Sequence, residues 1–303
     1  MKRLIAFSFA CLLFSSFANA QSLAQIDKEA RAAHKPISAR KIILVGDSTT
    51  QVLSGWGGQF CANHLVSSVA CIDLARGGRS SFSYRAEGSW QIALNEMKTQ
   101  GYQKTFVLIQ LGHNDMPGKA GRSTDLGGEF PEFMRQYVIE TKQAGAIPVF
   151  VTPLTRRMFK DGVLKNDLVP WADAIRKIAK EENVALVDLN AASAQAVQEM
   201  GAVKSLELAQ IMPSQDIIDA AKTGTTKDTP KSVAPTTPMN CIQAPSTQNC
   251  ISEKPKSSGI PNGKVNLSFD YTHIGENGAK VFSAIIAREL AKSVPELSDY
   301  LIP

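Results

Sequence analysis

Short runs of apolar, often β-branched residues recur along the chain and are separated by longer amphipathic stretches. Each run has the length of a strand and is bounded by glycine or polar residues. These runs predict five strands, at residues 41–46, 69–74, 105–111, 146–152 and 184–189. Because the runs are apolar throughout and do not alternate with polar residues, they indicate parallel strands that are buried on both faces.

The stretches between the predicted strands carry the apolar periodicity of amphipathic helices. They predict helices at residues 57–66, 87–99, 129–144, 171–182 and 275–292. Strands that alternate with helices in this way indicate a three-layer α/β/α domain around a central parallel sheet of about five strands. Residues 201–266 lose this rhythm, and residues 223–261 are rich in Thr, Pro, Ser, Asn and Lys. We therefore predict a loop-rich insertion at about 201–266.

The first 20 residues have the pattern of a cleavable secretory signal. Lys2 and Arg3 precede a mostly apolar segment, residues 5–17, and the small residues Ala18 and Ala20 flank Asn19. This pattern predicts cleavage after Ala20, which leaves one domain at residues 21–303. The alternative is a buried N-terminal helix. The apolar segment is too short to span a bilayer as a stable helix, so the prediction is a secreted or periplasmic protein without a membrane anchor.

Charge excludes one large class of function. The 303-residue chain has 33 basic and 28 acidic residues, and loss of Lys2 and Arg3 with the signal reduces the net charge from +5 to about +3. This mild and dispersed charge argues against nucleic acid binding.

Four cysteines remain after cleavage of the signal. An even number in an exported protein predicts disulfides, and each of the pairings Cys61–Cys71 and Cys241–Cys250 closes a short loop. Four reduced, buried thiols are the alternative. No C-x-x-C pair is present, so the cysteine spacing does not indicate a zinc site.

Four polar segments punctuated by glycine or histidine follow predicted strands or precede the last helix. They are residues 46–49 (GDST), 77–80 (GGRS), 112–115 (GHND) and 270–273 (DYTH). In open parallel sheets, ligands bind beyond the carboxyl ends of the strands, so these segments are expected to converge on one site.

In this order, the four segments resemble the conserved blocks of SGNH (GDSL-like) hydrolases, and most of all their rhamnogalacturonan acetylesterase-like branch. The resemblance implies a flavodoxin-like strand order. It also implies Ser48 as the nucleophile, Asp270 and His273 as the acid and base, and Gly78 and Asn114 as oxyanion-hole donors. Neither a metal ion nor an organic cofactor is implied.

The chemistry of these residue types agrees with the resemblance. The hydroxyl of Ser48 needs a base to take its proton, and His273 needs a carboxylate, here that of Asp270, to fix its tautomer. The backbone N–H of Ser48 and the donors of Gly78 and Asn114 would stabilise a tetrahedral oxyanion. Each residue also has a structural alternative, since Ser48 and Asp270 could cap helices and Asn114 could form a turn.

Other classes are weaker matches. The G-x-S-x-G elbow of α/β-hydrolases is absent around Ser48. The main alternative of another class is a carbohydrate-binding protein without catalysis on the same fold. The resemblance implies removal of acetyl groups from plant cell-wall polysaccharide, with pectic rhamnogalacturonan as the first candidate substrate. Acetylxylan or short-chain esters and lipids remain alternatives, and the sequence does not predict the oligomeric state.

Three arginines lie near the predicted site. Arg79 is next to the predicted oxyanion glycine, and Arg156 and Arg157 follow the fourth predicted strand. Because the guanidinium fork matches a carboxylate, we expect these arginines to bind an acidic polysaccharide, with loop bracing as the alternative.

Overall fold

The computed structural model describes residues 23–32, 39–228 and 269–302. The chain divides into two compact units, Met1–Ser38 and Ala39–Pro303. In the first unit the described part is a helix, residues 23–32, whose residues are all exposed. The predicted signal, residues 1–20, lies outside the described residues. None of the described helices combines the length and the apolar content needed to cross a membrane.

The second unit is built on a five-stranded parallel sheet. Its strands are β1 (Arg40–Gly46), β2 (Val69–Asp73), β3 (Lys104–Gln110), β4 (Ile147–Val151) and β7 (Ala185–Val187). They lie in the order β2-β1-β3-β4-β7 with every neighbouring pair parallel. This is the flavodoxin-like order, and it confirms the predicted fold class.

A short hairpin was not predicted from the sequence. Strands β5 (Phe159–Lys160) and β6 (Val163–Leu164) pair in antiparallel fashion after β4. Each has only two residues, which is too few for a periodic pattern to be recognised.

Helices cover both faces of the sheet. The described helices of this unit are α1 (Gly57–Asn63), α2 (Ser83–Ala86), α3 (Ser89–Met97), α4 (Glu129–Gln143), α5 (Val169–Glu181), α6 (Leu189–Lys204), α7 (Gln215–Lys222) and α8 (Glu276–Ser293). Residues of α1, α6 and α8 share one hydrophobic core, and residues of α3, α4 and α5 share the other.

The two cores arise from the alternation of side chains along the strands. In β1, Ile42 and Leu44 belong to the core beneath α8, whereas Ile43 and Val45 belong to the core beneath α4. All four are fully buried. Complete burial of such an aliphatic side chain stabilises a fold by about 1.5–3 kcal/mol. The continuous apolar runs are therefore explained by burial on both sides of the sheet.

The described part of the predicted insertion is helical. Helix α6 continues into a 3₁₀ turn, Ser205–Leu208, and α7 follows. Residues 229–268, which include Cys241 and Cys250, lie outside the described residues, so the insertion and the second disulfide stay predictions. A disulfide joins Cys61 of α1 to Cys71 of β2, with their Cα atoms 5.5 Å apart.

Candidate active site

Ser48 lies in a tight turn directly after β1, the strand on whose two sides β2 and β3 pair. The Asp47 carboxylate holds this turn, because its Oδ1 accepts hydrogen bonds of 2.8 Å from both the backbone N–H and the hydroxyl of Thr49. Gly46 is required at the start of the turn, since a Cβ there would lie 2.4 Å from Thr50 Oγ1. The turn thus holds Ser48, 9% exposed, at the carboxyl edge of the sheet.

Asp270, His273 and Ser48 form a continuous hydrogen-bonded chain. His273 Nδ1 is 2.6 Å from Asp270 Oδ2, and His273 Nε2 is 2.8 Å from Ser48 Oγ. Asp270 Oδ1 also accepts the backbone N–H groups of Thr272 at 2.8 Å and His273 at 2.7 Å. Because Asp270 faces Nδ1, that nitrogen carries the proton and Nε2 is left as a base toward the Ser48 hydroxyl.

The hydrogen bonds around Asp270 keep its carboxylate charged. Burial acts to raise its pKa, but the hydrogen bond and charge of His273 and the two backbone N–H groups lower the pKa to about 2. A permanently charged acceptor favours the imidazolium that forms when His273 takes a proton.

The predicted oxyanion-hole residues also lie at this edge. Gly78 adopts a φ of 81°, a conformation that favours glycine. Asn114 Nδ2 donates to Arg79 O at 3.0 Å, which joins Asn114 to the segment that carries Gly78. Within the described residues, the backbone N–H groups of Ser48 and Gly78 donate to no protein acceptor. They are therefore free to donate to a ligand, as is the second N–H of Asn114.

Asp115 connects the segments that carry Gly78 and Asn114. Its Oδ1 accepts the Ser81 hydroxyl at 2.5 Å, the Ser81 N–H at 3.0 Å and the Thr124 hydroxyl at 2.9 Å. Burial raises the pKa of Asp115 to about 6 in spite of these bonds. The side chain is fully buried, so it positions its neighbours and is not itself open to a ligand.

A family match bears on these residues. The model of the GDSL-like lipase/acylhydrolase family matches residues 44–203. The chain belongs to this family. The match covers the turn of Ser48 and the segments that carry Gly78 and Asn114. It confirms the predicted SGNH resemblance and the assignment to the carboxylic ester hydrolases.

Two relatives from Bacillus subtilis (strain 168) belong to the branch predicted from the sequence. The probable rhamnogalacturonan acetylesterase YesY is 35% identical over 158 residues, which cover 50% of this chain and 70% of YesY. The rhamnogalacturonan acetylesterase RhgT is 35% identical over 163 residues, which cover 51% of this chain and 66% of RhgT. The matched segment thus spans about two thirds of each relative.

A solved structure supports the fold alone. The crystal structure of the protein YxiM from Bacillus subtilis superimposes with a TM-score of 0.56 and 21% identity, covering 85% of this chain and 58% of YxiM. The chain therefore spans less than two thirds of that protein.

Two residues that were not predicted from the sequence hold the turn of Ser48, the candidate nucleophile. Ser54, at a φ of 74°, donates its hydroxyl to Ser48 O at 2.9 Å, and its own carbonyl accepts Ile274 N–H at 3.0 Å. Gln110 is fully buried and donates to Thr49 Oγ1 at 2.5 Å. Ser54 thus connects the turn of Ser48 to the chain next to His273, which sets the spacing between nucleophile and base.

Asp47 and His113 form a buried pair beneath the turn. His113 Nδ1 lies 3.3 Å from Asp47 Oδ2, and His113 Nε2 donates to Leu154 O at 2.8 Å. Although burial acts to raise the pKa of Asp47, His113 and Thr49 lower it. Both side chains are almost completely buried, which makes them supports of the turn.

The predicted substrate role of Arg157 requires correction. Arg157 is fully buried and donates to the carbonyl oxygens of Asp270 at 3.0 Å, His273 at 2.8 Å and Thr272 at 3.3 Å, so it cannot reach a polysaccharide. It braces the catalytic loop instead.

The other two arginines form ion pairs with carboxylates. Arg79 pairs with Glu87 at 2.6 Å, and Arg156 pairs with Asp167. Both side chains are partly exposed, so their binding of an acidic substrate stays a prediction.

A serine hydroxyl in contact with a histidine and free hydrogen-bond donors at the same edge of the sheet are the groups that acyl transfer requires. Within residues 23–32, 39–228 and 269–302, no group of three or more His, Cys, Asp or Glu side chains is placed to hold a metal ion.

Replacing Arg157 by methionine is expected to destabilise the protein by about 2–3 kcal/mol, because three buried carbonyl groups lose their donor. Burial lowers the pKa of Arg157 to about 10, against the favourable charge of Asp270, so it remains charged at neutral pH. Thermal unfolding measures the loss, and kcat is expected to fall as well, since the loop carries the base. The exposed Lys98→Met serves as a control. Unchanged stability would contradict the bracing role.

The hydrolysis rate is expected to fall as pH is lowered from neutral, because His273 must be unprotonated to act as a base. The pKa of Asp270 is about 2, so this carboxylate stays charged as the pH is lowered from neutral toward weakly acidic values. Its lowered pKa also stabilises the fold above the usual carboxyl pKa, and this contribution is lost as pH falls toward 2. Log kcat/KM is expected to decrease toward acidic pH. If kcat/KM stayed constant toward acidic pH while the chemical step limited the rate, His273 would not be the base.

Proposed function

We propose that this chain is a secreted or periplasmic serine esterase that removes acetyl groups from plant cell-wall polysaccharide, with pectic rhamnogalacturonan as the preferred polymer. The observation that carries the proposal is the hydrogen-bonded chain from Asp270 through His273 to Ser48. It lies beside free donors in a chain of the GDSL-like family. A carbohydrate-binding protein has no need of such a chain.

In the first half of the reaction, Ser48 Oγ attacks the acetyl carbonyl carbon while His273 Nε2 takes the hydroxyl proton. The carbonyl oxygen becomes an oxyanion, which accepts hydrogen bonds from Ser48 N–H, Gly78 N–H and Asn114 Nδ2. The bond to the sugar oxygen then breaks, and His273 donates its proton to that oxygen. The free sugar hydroxyl leaves, and the acetyl group stays on Ser48.

In the second half, water takes the place of the sugar. His273 removes a proton from the water, and the water oxygen attacks the acetyl carbonyl carbon. This forms a second oxyanion, which accepts hydrogen bonds from the same donors. The bond to Ser48 Oγ breaks, the proton returns to Ser48, and acetic acid leaves as acetate and a proton. Asp270 keeps its charge throughout and stabilises the imidazolium in both halves.

The substrate part of the proposal is supported by the names of the two relatives, both rhamnogalacturonan acetylesterases. A shared fold by itself would not support a substrate, because one fold serves many functions.

The test is acetate release from a panel of acetylated rhamnogalacturonan, acetylated xylan and a short-chain aryl ester. The proposal expects the highest kcat/KM on the rhamnogalacturonan. A preference for xylan, or activity on the aryl ester alone, would overturn the polymer assignment and leave the esterase mechanism in place. No hydrolysis of any ester would overturn both.

Export is supported by the signal pattern of residues 1–20 and by the Cys61–Cys71 disulfide, since disulfides persist in oxidising compartments. Mass spectrometry of the exported protein, digested without reduction, tests cleavage after Ala20 and the Cys241–Cys250 bridge together. An intact N-terminus in the exported protein would contradict the cleavage.

A further inference from the structure

Two cationic side chains from one loop contact the predicted oxyanion residues. Lys119 Nζ lies 3.3 Å from Asn114 Oδ1, and Arg122 Nη1 lies 3.3 Å from Gly78 O. Both side chains are partly buried. These contacts place two positive charges at the edge of the site where the acetyl oxygen would bind.

In the part of the chain that the structure describes, neither cation pairs with a carboxylate. Among the described residues, no ion pair involves Lys119 or Arg122, whereas Arg79 and Arg156 have Glu87 and Asp167 as partners. The contacts that Lys119 and Arg122 do make are to a neutral amide oxygen and a neutral carbonyl oxygen. A carboxylate would be a stronger partner for either group than a neutral oxygen.

The loop that carries the two cations is fixed to the site. Thr124 N–H donates to Asp115 O at 3.0 Å, which closes the loop at its base. Lys119 N–H donates to Ser123 Oγ at 2.9 Å, and Arg122 N–H donates to Lys119 O at 3.0 Å. The two side chains therefore start from a defined backbone, which lowers the entropy lost when they bind a ligand.

Charges around Lys119 leave an excess of positive potential. Burial lowers its pKa, and repulsion from Arg156 and Arg122 lowers it further, while Asp47 and Asp115 act in the opposite direction. The outcome is a pKa of about 8. An anion bound between Lys119 and Arg122 would relieve this repulsion.

We propose that Lys119 and Arg122 form a carboxylate-binding subsite beside the oxyanion hole, which recognises the uronate group of an acidic polysaccharide. The inference rests on the proposed acetylesterase function and assigns its preference for acidic polymers to this pair. Because each cation contacts a residue that would hold the acetyl oxygen, the carboxylate belongs to the acetylated sugar or to its neighbour.

The experiment measures inhibition, so that binding is separated from catalysis. Wild type, Lys119→Gln/Arg122→Gln and the exposed control Lys98→Gln are assayed on an aryl acetate in the presence of oligogalacturonate without acetyl groups. The same oligomer with methyl-esterified carboxyl groups is the neutral probe. We expect the inhibition constant of oligogalacturonate to rise about ten-fold or more in the double variant, the scale of a lost charge-assisted hydrogen bond. The control variant and the methyl ester are expected to show no such change.

Two further measurements separate recognition from structural support. Lys119→Arg keeps the charge and is expected to retain part of the inhibition that Lys119→Gln loses. In wild type the inhibition is expected to weaken as pH rises through about 8, because Lys119 loses its proton. Inhibition by the methyl ester is expected to be insensitive to pH over that range.

The outcomes distinguish this subsite from the proposed function. Equal inhibition constants for oligogalacturonate in wild type and double variant, with thermal unfolding unchanged, would overturn the subsite. Equal inhibition of wild type by the charged and esterified oligomers would overturn it too. Absence of acetate release from acetylated polymers would overturn the proposed function, yet a charge-dependent inhibition constant would still support the subsite.

Discussion

Replacing Ser48 by alanine is expected to lower kcat/KM for ester hydrolysis by about 10⁵–10⁶-fold, the scale found when the nucleophile of a serine hydrolase is removed. The hydroxyl of Ser48 hydrogen-bonds only to His273 among the described residues. The turn itself is held by Asp47, Thr49 and Ser54 through other atoms. Alanine therefore removes the attacking oxygen without removing a support of the fold.

The measurement is hydrolysis of an aryl acetate by purified protein, together with thermal unfolding. Ser67→Ala, at an exposed position outside the site, is the matched control and is expected to keep full activity. Unfolding of the Ser48→Ala protein is expected at the wild-type temperature. If more than a few per cent of turnover remained, another group would have to be the nucleophile, and the acyl-enzyme mechanism would be wrong.

The sheet could be predicted because burial on both faces leaves a direct trace in the sequence. The five apolar runs correspond to β1, β2, β3, β4 and β7, with ends that differ by one or two residues. Helix α6 was missed. Its sequence, LNAASAQAVQEMGAVK, is rich in alanine and other small residues, and these give little contrast between a buried and an exposed face.

The candidate site was predictable to the extent that its residues follow strand ends. The segments after β1, β2 and β3 meet because the strands are neighbours in a parallel sheet. The supports of those segments were not predictable. Ser54 and Arg157 act by hydrogen bonds to backbone carbonyl oxygens, which any residue type offers. The sequence therefore does not show which carbonyl groups these two side chains bind.

Side-chain direction explains why Arg157 does not reach the surface although it follows Arg156 directly. Arg156 and Arg157 are consecutive, and their position after β4 was read correctly from the sequence. One side chain meets Asp167 at the surface, and the other enters the protein beneath the loop of His273. The side chains of neighbouring residues in an extended segment point in opposite directions. A shared place after β4 therefore does not give both arginines the same role. The missed pair, Lys119 and Arg122, belongs to a loop without periodicity.

Replacing Asp270 by asparagine is expected to lower kcat/KM by about 10⁴-fold with the fold intact, as the corresponding change does in a serine protease triad. The amide oxygen can still accept the backbone N–H groups of Thr272 and His273, which Asp270 Oδ1 accepts now. The amide NH₂ would face His273 Nδ1, where Oδ2 now lies at 2.6 Å. A donor at that position favours the tautomer with the proton on Nε2, and this nitrogen could no longer take the proton of Ser48.

Loss of charge acts in the same direction as the wrong tautomer. Despite its burial, Asp270 has a pKa of about 2, so wild type carries a carboxylate beside His273 at every pH at which the enzyme would be assayed. Asparagine removes that charge and leaves the imidazolium of the transition state without its partner. Aryl acetate hydrolysis across the neutral pH range, with the exposed Asp299→Asn as control, measures the combined effect. A loss below about ten-fold would mean that Asp270 only shapes the loop, because the backbone hydrogen bonds that survive in the variant would then account for its whole contribution.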